Sequence, residues 1–317
     1  MTKTILRRLK SVSPVLWAVI AMAIGFGLIS KRYFSLNNFI NILQQGAVLL
    51  IISSAATVVI LSGGLDLSLG GVMTLSGIAA VLALSMKMPV PVAVAAGILM
   101  GAVCGAVTGS LIAFCRMPPF IATLGIQGVF YGLALVMTNS QAIFTRNKNF
   151  LLLGGKVARY IPMAAVLAAV IFFLVWFVLH HTRFGRYVIA IGGNEAGARL
   201  SGVNTTFWKW MVYVFAGLVA GIGGVILASR LEAADPIVGV GWEFDAITAT
   251  ILGGTSFQKG KGDVSGTIIG VLLITVLRNG LNVISTPSML QPALIGTILI
   301  IAIVFQVGFQ GKKKVKP

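Results

Sequence analysis

The strongest constraint on this chain is a series of long apolar stretches separated by glycine, proline or charged residues. Hydrophobic residues occupy 57% of the 317 positions and charged residues only 10%, and the mean hydropathy is +1.00. Such a composition excludes an ordinary soluble domain. Because a helix needs about 20 apolar residues to cross a bilayer, the pattern predicts an all-α, polytopic transmembrane helical bundle. The candidate windows are 14–30, 39–62, 69–86, 89–115, 119–138, 161–181, 208–231, 244–257, 264–285 and 290–307.

These windows predict about ten spans in a single transmembrane domain over residues 1–317, with some short or broken helices. The window 244–257 is short for a span, so the count of ten depends on it. The net charge of +17 lies mainly in loops and in two ends, an arm at 1–13 and a basic tail at 310–317. With both ends in the cytoplasm, the cytoplasmic loops carry most of the Lys and Arg residues, in agreement with the positive-inside rule. The charge therefore indicates membrane orientation and not nucleic-acid binding.

The second window carries amides at near-helical spacing. They are Asn38, Asn41, Gln44 and Gln45. Lipid cannot satisfy an amide, so this face is expected to look into the protein or into a water-filled path. Interhelical hydrogen bonds that hold the bundle together explain the pattern equally well, and the pathway role of Asn41, Gln44 and Gln45 is left open.

A glycine-rich break, SGGLDLSLG, separates the second and third windows. Gly63 and Gly64 interrupt the helix, and Asp66 and Ser68 follow them. Unwound backbone at membrane depth is tolerated only where protein or water satisfies it, so such breaks mark pathways or hinges. A plain tight turn, in which Asp66 caps the next helix, is an equally good interpretation.

Glycine recurs at every fourth position in several windows, which predicts faces for close helix packing. The positions are 97, 101, 105 and 109, then 217 and 221, then 262, 266 and 270. The two longer series lie about half a chain apart, and each is followed by an apolar run that ends in arginine, Arg116 or Arg278. With about five spans in each half, a second copy of the first half runs upside down through the membrane. The pattern therefore predicts an inverted repeat.

Two connections on the external side have opposite charge. The longer one, 138–160, contains no acid, and its basic residues are Arg146, Lys148, Lys156 and Arg159. It either docks an acidic partner surface or is simply solvated. The other connection follows the seventh window, and its acids are Glu232, Asp235, Glu243 and Asp245. These acids either line the outer mouth of the protein or are solvated. Solvation is the usual state of acids in exposed loops.

A polar connection, 182–207, links the sixth and seventh windows with the sequence TRFGRYVIAIGGNEAGARLSGVNTTF. After its paired glycines, Asn194 is a helix N-cap, Glu195 suits the positive end of a helix, and Gly202 suits a left-handed stop. A short helix from Glu195 to Ser201 is predicted outside the membrane. It is either a handle for a cytosolic partner or a rigid connector along the headgroups.

A second glycine-rich break at 253–263 resembles a phosphate-binding loop but lacks the required spacing. That loop has the pattern G-x-x-x-x-G-K-[ST]. Here five residues separate Gly254 from Gly260, and Gly262 stands where the hydroxyl residue is needed. The adjacent His180 and His181 lie on different helix faces. We therefore expect neither a nucleotide cofactor nor a metal in this chain.

The motifs NNFINILQQ, GGLDLSLG, PFIATLG, HHTRFGRYVIAIGGNEAGARLSGVN and ILGGTSFQKGKGDVSGTIIG occur in this order over nearly the whole chain. Together they resemble the ribose-type sugar permeases of bacterial ATP-binding-cassette (ABC) importers. The resemblance implies an inner-membrane permease, not an enzyme, that pairs with a second copy or a paralogue. It also implies a periplasmic sugar-binding protein and cytoplasmic ATPases that carry ATP and Mg. Systems for several sugars share these motifs, so the sugar is not specified.

The resemblance also implies residue roles. The helix that couples the permease to the ATPase contains Asn194, Glu195 and Ala196, with Arg199 and Leu200 beside it. Asp66 and Ser68 belong to the family's glycine-flanked break. The competing interpretations are a passive channel and an ion-coupled secondary transporter, for which Asp66 and Arg278 are the candidate ionisable groups.

Overall fold

The structure is a computed structural model that describes residues 14–158, 160–256, 260–287, 289–291, 293–297 and 300. The predicted arm at 1–13, Arg159, the tail at 310–317 and part of the window 290–307 lie outside the described residues. Within the described ranges the predicted all-α fold is confirmed, since long helices dominate and each strand has only two or three residues.

The helices follow one another with short connections. They are α1 (Pro14–Ile29), α2 (Leu36–Leu61), α3 (Leu69–Ser85), α4 (Val90–Ala113), α5 (Pro119–Thr138), α6 (Lys148–Leu151), α7 (Met163–His181), α8 (Arg183–Gly193), α9 (Glu195–Leu200), α10 (Thr205–Leu231), α11 (Trp242–Leu252) and α12 (Val264–Val283). A 3-10 turn, Lys31–Phe34, joins α1 to α2. Two antiparallel strand pairs are β1 (Ile143–Phe144) with β4 (Ala233–Ala234) and β2 (Lys156–Ala158) with β3 (Ile161–Pro162).

Six of the described helices are long and apolar enough to cross a membrane, namely α2, α4, α5, α7, α10 and α12. Helices α1 and α3 are apolar but shorter. The doubtful window 244–257 contains α11, which has only 11 residues. At about 1.5 Å per residue, this helix reaches roughly half of a hydrocarbon core about 30 Å thick. The chain is therefore a multi-pass membrane protein in which α11 is a half-length helix.

Helices α2 and α10 run antiparallel through the centre of the bundle. Arg230, near the end of α10, donates a hydrogen bond to the carbonyl of Gln44, near the start of α2, at 3.0 Å. In the apolar stretches of these two helices 67% and 72% of residues are buried, against 22% for α5. A helix that is apolar on all sides and buried belongs to the core. The exposed apolar surface of α5 is available to lipid or to another subunit.

Within the helices the glycine series are confirmed as packing faces, but Gly262 lies before the start of α12, has a φ of 145° and is not part of a helix face. A Cβ added to Gly101 of α4 would lie 2.7 Å from the Cα of Gly221 on α10 and would overlap the carbonyl oxygen of Gly217. A Cβ added to Gly270 of α12 would overlap the carbonyl oxygen of Ala249 on α11. Close backbone approach is a main source of helix association in membranes. These glycines therefore set the spacing of α4 and α10 and of α11 and α12.

The same order of elements occurs twice. A long central helix, a break, a shorter helix and a glycine-bearing helix occur as α2, 62–68, α3 and α4, and again as α10, 232–241, α11 and α12. Because α2 and α10 are antiparallel, the second run is inverted relative to the first, as the inverted-repeat prediction requires. The starts of the two short helices lie close together, since the N–H of Gly239 donates a hydrogen bond to Thr74 Oγ1 at 3.1 Å.

The connection after α10 is not simply an exposed acidic loop. Glu243 and Asp245 lie in the first turn of α11 and are only 1% and 8% exposed. Gln127 Nε2 of α5 donates a hydrogen bond to Glu243 Oε1 at 2.7 Å, and Asp245 forms an ion pair with Arg278 of α12. The expectation of solvated loop acids is therefore wrong for these two residues, because the helix begins at Trp242 and other helices supply their partners.

Candidate functional site

The segment 182–207 folds into α8 and α9, and its predicted capping is confirmed. The side chain of Asn194 accepts a hydrogen bond from Gly197 N at 3.0 Å. The helix that it caps, α9, ends at Leu200, and Gly202 has a φ of 83°, the left-handed conformation that glycine adopts readily. Asn194 itself is extended, so the chain turns sharply between α8 and α9.

Glu195 is the centre of a charge network at the start of α9. Its Oε2 lies 2.6 Å from Lys209 Nζ, and its Oε1 lies 3.4 Å from a guanidinium nitrogen of Arg199. Partial burial raises the pKa of Glu195, but the hydrogen bond and charge of Lys209 and the charge of Arg199 lower it by more. The pKa therefore lies below its ordinary value. The ionised carboxylate ties α9 to the start of α10.

The opposite face of α9 is open. Leu200 is 90% exposed, Ala196 is exposed, and Ala198 is buried against the rest of the chain. A single exposed leucine is ordinary for a protein surface, so exposure alone does not identify a contact. What distinguishes α9 is that the predicted coupling residues share one short capped helix at one end of the bundle.

The end of α8 lies against the predicted Gly63–Gly64 break. A Cβ added to Gly192 would overlap the carbonyl oxygen of Leu61 and would lie 3.0 Å from the carbonyl carbon of Ser62. Gly63 adopts a left-handed φ of 79°, and a Cβ on it would lie 3.6 Å from the Cα of Gly192. The contact between α8 and the end of α2 is therefore backbone against backbone.

The second glycine-rich break meets the same helix. A Cβ added to Gly260 would lie 2.7 Å from both the carbonyl oxygen of Ile189 and the amide nitrogen of Gly193. Nearby, His180 Nε2 lies 3.4 Å from a carboxylate oxygen of Asp263. Helix α8 thus touches both breaks, one from each half of the chain. No short motif predicts this convergence, because its members are far apart in sequence.

Asp66 and Ser68 form a turn inside the first break. Asp66 is 3% exposed, and its Oδ1 accepts hydrogen bonds from the backbone N–H and the hydroxyl of Ser68 at 2.8 and 2.6 Å. Ser68 is the N-cap residue of α3, and Tyr213 of α10 donates a hydrogen bond to the carbonyl of Leu65 at 3.3 Å. Asp66 therefore orders the break through Ser68, as in an Asx turn, and does not cap α3 directly.

Two cavities meet at the Glu195–Lys209 ion pair. One, of about 420 Å³, lies between this pair and the connection from α4 to α5 at Arg116. The other, of about 250 Å³, lies between the pair, Gly64 and Tyr213. The coupling residues and the hinge residues, which were predicted from separate motifs, therefore border one site. Lys209 and Tyr213 were missed, since neither belongs to a recognisable motif.

The amides of the α2 face lie in different environments, and their pathway role stays a prediction. Asn38 and Asn279 of α12 exchange hydrogen bonds of 2.9 Å in both directions, so Asn38 holds helices together. Asn41 is exposed. Gln45 lines a polar cavity near the start of α2, and Gln44 contributes the carbonyl that Arg230 binds.

The predicted docking residues lie at the other end of the bundle, on a folded cap formed by residues 139–162. Asn147 caps α6 by accepting hydrogen bonds from Asn149 N and Phe150 N. Phe150 is fully buried, and its carbonyl accepts a hydrogen bond from Ser229 Oγ at 2.7 Å. The described basic residues on this cap are exposed, and they are Arg146, Lys148 and Lys156.

The family described as branched-chain amino acid transport system / permease component matches residues 38–303, which include all of the site above. The chain belongs to this permease family. The permease is similar to the Ribose import permease protein RbsC of Escherichia coli (strain K12), with 40% identity over 279 residues and 87% of each chain covered. It is also similar to the D-allose transport system permease protein AlsC of the same strain, with 34% identity, 88% of this chain and 86% of that one.

A third relative is the Fructose import permease protein FrcC of Rhizobium meliloti, which is 32% identical over 318 residues, with 95% of this permease and 88% of that protein covered. The resemblance to ribose-type permeases drawn from the motifs is thereby confirmed. No solved structure matches the chain.

Proposed function

We propose that this permease is the membrane subunit of a binding-protein-dependent, ATP-driven monosaccharide importer in a bacterial inner membrane. The names of its relatives, which refer to ribose, allose and fructose, support a small sugar as substrate. In this proposal α8, α9 and both termini face the cytoplasm, and the 139–162 cap faces the periplasm. ATP and Mg act on separate ABC ATPase subunits, while a second permease copy or a paralogue completes the pathway.

The backbone contact of α8 with both glycine-rich breaks supports this coupling role. Glycine has no side chain that can rotate away, so a displacement of α8 must move the end of α2 or separate the two segments. An ATPase that pushes on α9 therefore acts on the breaks of both halves. ATP can bias the exchange between outward-open and inward-open states only through contacts that differ between the two states. We propose that the contact of α8 with the two glycine-rich breaks is such a contact.

A charge exchange at the Glu195–Lys209 pair tests the coupling. Glu195→Lys places a third cation beside Lys209 and Arg199, so α9 should detach from α10. In reconstituted importer, ATP-dependent uptake should fall while the permease still inserts in the membrane. If coupling depends on the ion pair within the permease, the double variant Glu195→Lys/Lys209→Glu should recover uptake. If the ATPase instead contacts the Glu195 carboxylate directly, the double variant should not recover uptake. Normal uptake by the single variant would contradict both forms of the proposal.

The basic cap is proposed to dock the sugar-binding protein. Replacing Arg146 and Lys148 with Glu should weaken docking, because like charges then face the acidic partner surface, and the loss should be larger at low salt than at high salt. Binding of the two proteins can be measured by surface plasmon resonance over a salt series. If the affinity of the two proteins changes neither with the substitutions nor with the salt concentration, this surface is not the docking site.

An ion-coupled secondary transporter is kept as the second candidate because of Glu243. This carboxylate is buried beside α3 and α5, and its Oε2 has no hydrogen-bond partner among the described residues. Buried carboxylates at membrane depth are typical of proton-coupled transport. Uptake into vesicles that follows an imposed proton or sodium gradient without internal ATP would favour this candidate over the importer.

A further inference from the structure

A polar cavity of about 200 Å³ lies between α2, α11 and α12 in the half of the bundle far from α8 and α9. Gln45 contributes an amide, Thr275 a hydroxyl and Trp242 an aromatic ring, while Asp245 and Arg278 contribute opposite charges. From the sequence, Gln45 was predicted as a pathway residue, Asp245 as an acid of the outer mouth or of a solvated loop, and Arg278 as a candidate ionisable group. These residues come from elements that are separate in the chain.

The cavity lining carries two guanidinium groups, from Arg230 and Arg278, and one carboxylate, from Asp245. Arg278 forms an ion pair with Asp245, and the side chain of Asp245 is 11% exposed. Arg230 also lines the cavity and donates a hydrogen bond to the Gln44 carbonyl. Ionised side chains at membrane depth face water or protein and avoid lipid, so the cavity is a polar compartment.

Two polar atoms of the lining lack partners. Thr275 is 3% exposed, and its Oγ1 and the Nε of Arg278 are buried without a hydrogen-bond partner among the residues that the structure describes. Buried polar atoms are nearly always paired in proteins. Neither atom reaches the cavity surface in this structure. A ligand hydroxyl that displaced these side chains slightly would accept a hydrogen bond from the guanidinium and either donate to or accept from the threonine.

We propose that this cavity binds one monosaccharide during its passage through the permease, an inference that rests on the importer proposed above. The sugar hydroxyls bind Gln45, Thr275 and the Asp245–Arg278 pair, and the apolar face of the sugar ring packs on Trp242. At about 30 Å³ per water, the cavity has the volume of roughly seven waters, which suits one sugar ring. Binding is weak, since a transport site must also release its ligand.

Sugar binding can be followed without ATP by tryptophan fluorescence of the full-length permease in lipid nanodiscs. The titrants are a panel of pentoses and hexoses that includes D-ribose, D-allose and D-fructose, with inorganic phosphate as the anionic comparison. Trp242→Phe should abolish a saturable sugar-dependent change, whereas Trp17→Phe, at an exposed position on α1, should keep it. Thr275→Val removes one hydroxyl with little change in shape and should weaken binding about tenfold, or about 1.4 kcal/mol.

The outcomes distinguish the proposal of a sugar site from the proposal of an ATP-driven importer. Loss of the signal in Trp242→Phe, together with weakened binding by a normally folded Thr275→Val, supports the site. Wild-type affinity in Thr275→Val, an unchanged signal in Trp242→Phe, or saturation by phosphate but not by any sugar overturns it. If the wild-type permease gives no saturable signal while the full importer takes up sugar with ATP, the site is wrong and the importer stands. A sugar signal without ATP-dependent uptake leaves the site in place and removes the importer.

Discussion

Replacing Gly192 with alanine is the most direct perturbation of the proposed coupling junction. The added Cβ would overlap the carbonyl oxygen of Leu61 and would lie 2.9 Å from its carbonyl carbon. Ordinary contacts of this kind are 3.4 Å or longer. Both sides of the contact are backbone, so no side chain can rotate to relieve it. Helix α8 and the end of α2 must instead separate by roughly 1 to 1.5 Å to relieve the contact with the oxygen, a displacement that disturbs tight packing.

The energy of this separation can be bounded. Gly192 lies within α8 and does not have a left-handed φ, so alanine suits its backbone and favours the helix by up to about 1 kcal/mol. Overpacking costs about 1 to 3 kcal/mol. The net cost is therefore about 0 to 3 kcal/mol. If the contact differs between the transport states, an imbalance of 1 to 2 kcal/mol changes their ratio roughly 5- to 30-fold.

The assay compares ATP-dependent uptake with ATP hydrolysis in proteoliposomes that contain the complete importer. We expect Gly192→Ala to lower the sugar transported per ATP by roughly 5- to 30-fold without loss of ATPase binding. Gly25→Ala in α1 is the matched control, because among the described residues nothing lies within 4 Å of a Cβ at that position. A Gly192→Ala permease that assembles normally and keeps the wild-type ratio would refute the mechanical role of this junction.

Two further predictions concern stability, measured by thermal unfolding in detergent. Asn279→Leu leaves the buried Oδ1 of Asn38 without its donor, while Asn38 Nδ2 keeps its hydrogen bond to the Tyr33 carbonyl. This variant should destabilise the permease by about 1 to 2 kcal/mol. The double variant with Asn38→Leu should recover part of the loss, and no recovery would contradict a pairwise bond. Gly105→Ala should destabilise by about 1 to 3 kcal/mol, because its Cβ would overlap the carbonyl oxygen of Tyr213, whereas Gly25→Ala should be neutral or stabilising. Equal shifts of the unfolding temperature for Gly105→Ala and Gly25→Ala would exclude loss of glycine packing as the cause of the destabilisation.

Features that depend on neighbours in sequence were predicted well. The helix windows follow from apolar length, and the cap at Asn194 with the stop at Gly202 follows from hydrogen bonds that span three or four residues. The glycine spacing in α4 indicated a packing face, because residues four apart lie on one side of a helix. It did not identify α10 as the partner, since spacing carries no information about the neighbouring helix.

The two acids of α11 show what a local sequence pattern does not predict. In the sequence, Glu243 and Asp245 follow Pro236 and two glycines, a composition typical of an exposed loop. In the structure they are buried, because Gln127 of α5 and Arg278 of α12 supply partners from distant parts of the chain. A buried charge is tolerated only when such partners are present, and a local pattern does not reveal them.

By itself the sequence determined that this protein lies in the membrane, roughly where its long helices run, and that a short capped helix follows Asn194. These properties depend on apolar length and on hydrogen bonds between near neighbours. Only the tertiary structure decided that α8 touches the breaks of both halves through Gly63 and Gly260, and that a polar cavity forms around Trp242. Such contacts join residues far apart in sequence, and helix packing alone brings them together.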